Sequence, residues 1–125
     1  MPNSLWGDLK ALELVRTPKT ILKEQADALT VATSGMLEGV VEDRIGVLAD
    51  FAYDLEVRVP SLNNYAYTIL SVAHPMELYP LELSAQRPPT RLSCHDDKEF
   101  EAALARVLGS SEIRHVLSRL RSQTI

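Results

Sequence analysis

The sequence predicts an α+β fold, in which an antiparallel sheet of four or five strands carries an N-terminal helix and two C-terminal helices on one face. Three observations favour this class. Apolar residues first recur at helical spacing, then alternate with period two over residues 36–94, and then return to helical spacing at the C-terminus. Runs of strands flanked by runs of helices are typical of α+β folds, whereas parallel α/β folds alternate the two.

The first clear helix is predicted over residues 18–34. Thr17 is a suitable N-cap, and Pro18 occupies the first helical position, where its missing N–H costs nothing. The residues on its apolar face are Leu22, Ala26 and Leu29. Gly35 ends the helix, because glycine tolerates the left-handed conformation found there. A weaker spacing of Leu5, Leu9, Leu12 and Val15 predicts a further short helix within residues 1–16.

Five strands follow, and they are predicted at residues 36–42, 50–59, 65–74, 81–85 and 91–94. The pattern is clearest in 50–59, where apolar residues alternate strictly with polar ones. That alternation places Tyr53 and Leu55 in the core, and Asp54 and Glu56 on the other face. The strand 65–74 has apolar residues on both faces, which indicates a central strand. Gly39 indicates a bulge or a close backbone contact in the first strand.

Two helices, at 97–108 and 111–122, complete the chain. Asp96 and Glu99 form a capping box before the first of them, and Gly109 ends it. The expected core combines the apolar faces of strands and helices: Leu22, Leu29, Phe51, Tyr53, Leu55, Val57, Ile69, Phe100, Leu104, Val107, Val116, Leu117 and Leu120.

Length and composition point to one domain over residues 1–125, with 46% apolar and 24% charged residues. No apolar run approaches the roughly 18 residues that a membrane span needs. We expect a cytoplasmic protein, because the first thirty residues carry no secretory signal pattern and the single cysteine suits a reducing compartment. A net charge of −4 argues against general nucleic-acid binding.

The segment Cys94-His95-Asp96-Asp97 contains the residue types of a metal or thiol site. Neighbouring residues of a strand point to opposite faces, so Cys94 and His95 do not share one ligand sphere easily. No second Cys/His pair stands at zinc-ligand spacing, and no phosphate-binding loop or nucleophile motif is present. The sequence therefore predicts no metal, no cofactor and no catalytic residue, and it favours a protein that is not an enzyme without deciding the question.

Two nucleic-acid folds are also disfavoured. The last two helices resemble the start of a helix-turn-helix motif, but positions that such a motif buries fall on His115 and Ser118. A double-stranded RNA-binding domain needs positive charge where its last helix begins, and Asp96 and Asp97 stand at the matching place in this chain. We therefore expect no nucleic-acid partner.

Several short stretches, at 22–26, 37–39, 59–65 and 78–80, together with Phe100 and Leu104, resemble a family of small uncharacterised bacterial proteins of unknown function. The resemblance extends over residues 21–125. It implies a bacterial cytoplasmic domain and carries over no activity or catalytic residue.

The leading functional hypothesis is a non-enzymatic protein-interaction or regulatory module. Its candidate binding residues are Met76, Leu78 and Tyr79, three apolar residues in a short loop between prolines, together with His74 at the end of the preceding strand. A loop of this kind packs on its own core or contacts a partner. The alternative is a small enzyme or ligand-binding domain, which would need a concave pocket containing both His74 and Tyr79.

We expect a homodimer or a complex with another protein, and no membrane partner. The short strands 81–85 and 91–94 carry little charge and leave an edge for pairing with a second chain. Two-fold symmetry is the commonest way to close such an edge.

Overall fold

A computed structural model describes residues 4–125 and shows an α+β fold. Five strands form one sheet in the order β1-β2-β3-β4-β5, with every neighbouring pair antiparallel. The elements are α1 (Pro18–Ala32), β1 (Glu38–Asp43), β2 (Phe51–Val59), β3 (Tyr65–His74), β4 (Leu81–Ala85), β5 (Thr90–Cys94), α2 (Asp97–Leu108) and α3 (Ser111–Ser122). Short 3-10 turns occur at Leu9–Ala11 and Pro60–Leu62. Within residues 4–125, no helix combines the length and the apolar character that crossing a membrane requires.

The helix α1 begins at Pro18, as the sequence predicts, and ends at Ala32, two residues before the predicted end. The Thr17 hydroxyl accepts a hydrogen bond from the N–H of Thr20 at 3.2 Å, and Pro18 follows the cap. The helix stops at Ala32 because Ser34 already has a positive φ of 52° and Gly35 a φ of 80°. The hydroxyl of Thr33 then bonds both the carbonyl and the N–H of Leu37, which holds the turn into β1.

The faces of β2 confirm the predicted register. Tyr53 and Leu55 are buried beneath the helices, whereas Asp54 and Glu56 are half-buried on the opposite face. There the carboxylate of Asp54 accepts a hydrogen bond from the hydroxyl of Ser71 at 2.6 Å. Asp54 and Ser71 thus satisfy each other on the helix-free face, and polar residues are expected on a solvated face of an antiparallel sheet.

The strand β3 lies in the middle of the sheet, as its two apolar faces predict. Its pairing with β2 shifts by one residue between Leu55 and Glu56, so that Ile69 is an extra residue in β3. Both Ile69 and its neighbour Leu70 are buried. The irregularity is a β-bulge, and it bends β3 and increases its local twist.

Asp96 caps α2 as the sequence predicts, and Ser110 caps α3. The Asp96 carboxylate accepts from the N–H of Glu99 at 2.8 Å, and the Ser110 hydroxyl accepts from the N–H of Ile113 at 3.2 Å. The residues that these helices bury are Phe100, Ala103, Leu104, Val107, Ile113, Val116 and Leu120. The apolar stripe of α3 therefore faces the core, and His115 and Ser118 are exposed.

The predicted core is correct except at its margins. Phe51 is 40% exposed, because it is the first residue of β2 and lies at an end of the sheet. Leu29 and Leu117 are only partly buried, although both pack against the core.

The predicted helix within residues 1–16 is wrong over residues 4–16, and the part that falls on residues 1–3 lies outside the described residues. Only the 3-10 turn Leu9–Ala11 forms, and Leu5, Leu9, Leu12 and Val15 are exposed. Gly7 interrupts the segment with a φ of 76°. A helix this short is marginal in water unless its apolar face packs against the protein.

Candidate functional site

Two loops meet at one end of the sheet. The pairing of Phe51 with His74 brings the β1–β2 loop, residues 44–50, next to the β3–β4 loop, residues 75–80. The backbone N–H of Met76 donates to the Asp50 carboxylate at 2.9 Å, which ties one loop to the other. We call this end of the molecule the loop end.

Large apolar side chains are exposed at the loop end. Ile45, Leu48 and Met76 are largely or fully exposed, and Phe51 is partly exposed beside them in the chain. We call the surface formed by these four residues the loop-end surface. Sequence reasoning singled out Met76 but missed Ile45 and Leu48, although two large aliphatic residues in the short connection 44–50, which also contains Gly46, were a visible signal.

His74 is buried at the base of this surface. It is 4% exposed, and its ring lies between those of Phe51, at 5.3 Å between centroids, and Tyr53, at 5.8 Å. Its Nδ1 lies 2.8 Å from the carbonyl oxygen of Pro75. Because a carbonyl only accepts, the Nδ1–H must donate, which leaves Nε2 as the acceptor of the neutral ring. That Nε2 is buried and has no hydrogen-bond partner within residues 4–125.

A cavity of about 390 Å³ opens beside His74. Its walls include Leu48, Asp50, Pro80 and Glu82, and His74 contributes to it. Tyr79 does not line this cavity. The structure therefore separates the two residues that the ligand-binding alternative needs in one pocket.

Tyr79 and Leu78 turn towards the protein. The Tyr79 ring packs against the core, and its hydroxyl is buried with no partner among the described residues. Burial raises the pKa of the Tyr79 hydroxyl, and the nearby carboxylate of Asp97 raises it further. Leu78 is half-buried and has a φ of 77°, and its N–H donates to the carbonyl of Pro75 at 3.0 Å. Of the three loop candidates, Met76 alone is exposed to solvent.

Cys94 and His95 differ in exposure, as the alternation of strand residues predicts. Cys94 is buried, and burial raises the pKa of its thiol. His95 is exposed, and its backbone N–H donates to the Glu99 carboxylate at 2.9 Å. A protonated thiol is a weak nucleophile and a weak metal ligand. Over residues 4–125, no group of three or more His, Cys, Asp or Glu side chains is arranged to hold a metal ion.

Comparison of the chain with protein-family models, with curated proteins and with solved structures found no match. The resemblance to uncharacterised bacterial proteins therefore gains no support from them. A function for this chain has to be argued from its own geometry.

Proposed function

We propose that this chain is a non-enzymatic protein-interaction or regulatory module of the bacterial cytoplasm, and that it binds a protein partner through the loop-end surface. The exposure of Ile45, Leu48, Phe51 and Met76 at one end of the sheet carries the proposal. Burying apolar surface is favourable by roughly 25 cal/mol per Å². A partner that covers these side chains would therefore gain free energy that the isolated chain does not.

The ends of the two loops are anchored to the sheet beneath the loop-end surface. Phe51 is paired with His74 in the ladder, and the N–H of Arg44 bonds the carbonyl of Ala52 at 2.9 Å. The bond between Met76 and Asp50 restrains the other loop. Anchored loop ends limit the conformational entropy lost on binding, which favours recognition.

The charge near the loop-end surface suggests the chemistry of the partner. Asp50 and Glu82 line the neighbouring cavity, and Glu77 follows Met76 in the chain. A partner with an apolar centre and a positively charged rim fits this arrangement, because complementary charges steer encounter and suppress wrong partners.

Paired surface variants test the proposal. Leu48→Asp with Met76→Asp places two charges on the loop-end surface, and Val31→Asp places one on α1, where Val31 is also exposed. Each tagged protein is used to capture proteins from a bacterial lysate, and the captured proteins are quantified by mass spectrometry. We expect at least one protein to be captured by the wild type and by Val31→Asp, and lost with the loop-end variant. Equal capture by both variants would refute the proposal, provided that all three proteins give the same circular dichroism spectrum.

A further inference from the structure

Half of β3 lacks a partner on one side. β4 pairs with β3 only at residues 71–73, so residues 65–70 have no neighbouring strand on that side within residues 4–125. The β4–β5 hairpin ends at Ala85 and Thr90 and does not extend alongside them. The bulge at Ile69 bends β3 away from the line of β4. The result is a notch in the sheet, bounded by residues 66–71 and by the tip of the hairpin.

The notch has the size and chemistry to accept an extended chain. It encloses about 770 Å³ between residues 66–71 on one wall and residues 84–91 on the other. An unpaired strand offers N–H and C=O groups to an added strand, as in peptide recognition by β-augmentation. Arg91 lines the far wall and forms no ion pair with residues 4–125, so it can meet a carboxylate.

The chain also carries an exposed segment that pairs with no strand within residues 4–125. Residues 12–15, Leu-Glu-Leu-Val, lie in neither helix nor strand, and Leu12, Leu14 and Val15 are exposed. Leu12 has extended backbone angles, with φ −64° and ψ 127°. Alternating Leu12 and Leu14 suit one face of a strand, and Glu13 adds an exposed carboxylate. We call residues 12–15 the arm.

The arm does not occupy the notch of its own chain. Leu12, Leu14 and Val15 are 71%, 101% and 65% exposed, and residues 12–15 pair with no strand within residues 4–125. Arg16 is tied to α1 by Glu24, at 2.6 Å, and to α2 by Glu101. The root of the arm lies near the loop end, because Lys19 forms an ion pair at 3.2 Å with Asp43, the last residue of β1.

We therefore propose that two copies of this chain exchange their arms, and that residues 12–15 of each copy pair with the unpartnered half of β3 in the other. The root of the arm lies towards the loop end, and the notch lies towards the opposite end of the sheet. Two copies placed side by side in opposite directions bring each arm next to the partner's notch, and this arrangement has two-fold symmetry. Glu13 then faces Arg91. The proposal is independent of the loop-end surface and uses none of its residues.

The mass of the protein in solution tests the exchange. Multi-angle light scattering is recorded from about 1 to about 100 µM, a range over which a weak dimer passes from dissociated to associated. At the upper end the measured mass should be twice the chain mass of 13.9 kDa. Deletion of residues 1–15 keeps Arg16 and its ion pairs, and it should give a monomer with an unchanged circular dichroism spectrum. A full-length protein that is monomeric throughout would overturn the proposal, and so would a dimer that survives the deletion.

A charge exchange tests the contact itself. Glu13→Arg alone or Arg91→Glu alone should weaken the dimer by about five-fold or more, because each places like charges together. The double variant Glu13→Arg with Arg91→Glu restores opposite charges and should recover most of the affinity. Since both side chains are exposed in the single chain, folding should be unaffected. If the double variant dimerises as weakly as the single ones, Glu13 and Arg91 do not meet.

Discussion

The backbone of Gly39 lies directly against the backbone of Ala26, so that α1 touches β1 without any side chain between them. A Cβ atom on Gly39 would lie 2.2 Å from the carbonyl oxygen of Ala26 and 2.5 Å from its Cα. The Thr30 hydroxyl accepts a hydrogen bond from the N–H of Gly39 at 2.9 Å and holds the contact in register. This glycine is required because a side chain would push the helix off the sheet.

Gly39→Ala should destabilise the fold by about 2–3 kcal/mol, the range in which overpacking of a core falls. The obstructing atoms belong to helix backbone and cannot swing aside. Gly46→Ala is the matched control, since Gly46 has a φ of 83° but open space around it, and it should cost about 1 kcal/mol of backbone strain. Urea unfolding of the three proteins gives the comparison. If Gly39→Ala costs no more than Gly46→Ala, the helix and the strand can move apart at little cost, and the expectation is wrong.

Asp96→Ala should lower the free energy of unfolding by about 1 kcal/mol, because it removes the cap of α2. The Asp96 carboxylate accepts the N–H of Glu99, whereas Asp97 occupies the first turn and caps nothing. Asp97→Ala should therefore cost less than Asp96→Ala in thermal unfolding. If Asp97→Ala costs as much, charge near the helix start matters more than the cap.

The contribution of Glu99 to stability should depend on pH. The backbone N–H of His95 donates to its carboxylate and lowers the pKa of Glu99, and the His95 ring lowers it further. Since the folded pKa lies below the unfolded value, this stabilisation is present above the unfolded pKa and is lost as pH falls through the folded pKa. The difference in stability between the wild type and Glu99→Gln should therefore shrink between about pH 7 and about pH 3. A difference that stays constant in urea titrations across this range would contradict the expectation.

Tyr79→Phe should leave the protein equally stable or make it more stable by up to about 1 kcal/mol. The Tyr79 hydroxyl is buried without a partner among residues 4–125, and an unsatisfied buried group costs about 1–3 kcal/mol. Tyr79→Ala, in contrast, should be strongly destabilising, because it removes a ring that packs against the core. A clear loss of stability in Tyr79→Phe would show that the hydroxyl has a partner in solution.

The thiol of Cys94 should react slowly in the native protein. Its burial keeps reagents away and raises its pKa, so that little thiolate is present at neutral pH. Reaction with a chromogenic disulfide should be at least about a hundredfold slower in the folded than in the unfolded chain. Combining Cys94→Ser with His95→Cys moves the thiol to an exposed neighbour, which should react rapidly. Fast reaction of native Cys94 would show that β5 and α2 separate easily.

Local patterns in the sequence predicted most of the fold. The strict alternation around Leu55 identified the buried face of β2, and Thr17 and Asp96 marked helix starts, because caps and periodicity depend on neighbouring residues only. The turn from β2 to β3 contains Asn63 and Asn64 at φ angles of 56° and 57°, a conformation that asparagine tolerates.

Tertiary structure decided the exposed surfaces on which the two proposals rest. Periodicity says which face of a strand is apolar, but the lengths of neighbouring elements decide which end of it is covered. Phe51 follows the pattern of its strand and is nevertheless exposed, because it lies at an end of the sheet. The spacing of Leu5, Leu9, Leu12 and Val15 predicted a helix that does not form, because local spacing cannot show whether the fold leaves a surface for it. The notch beside β3 exists because β4 is five residues long and β3 is ten. This difference in length leaves part of β3 unpaired only because the two strands are neighbours in the sheet, which the sequence does not show.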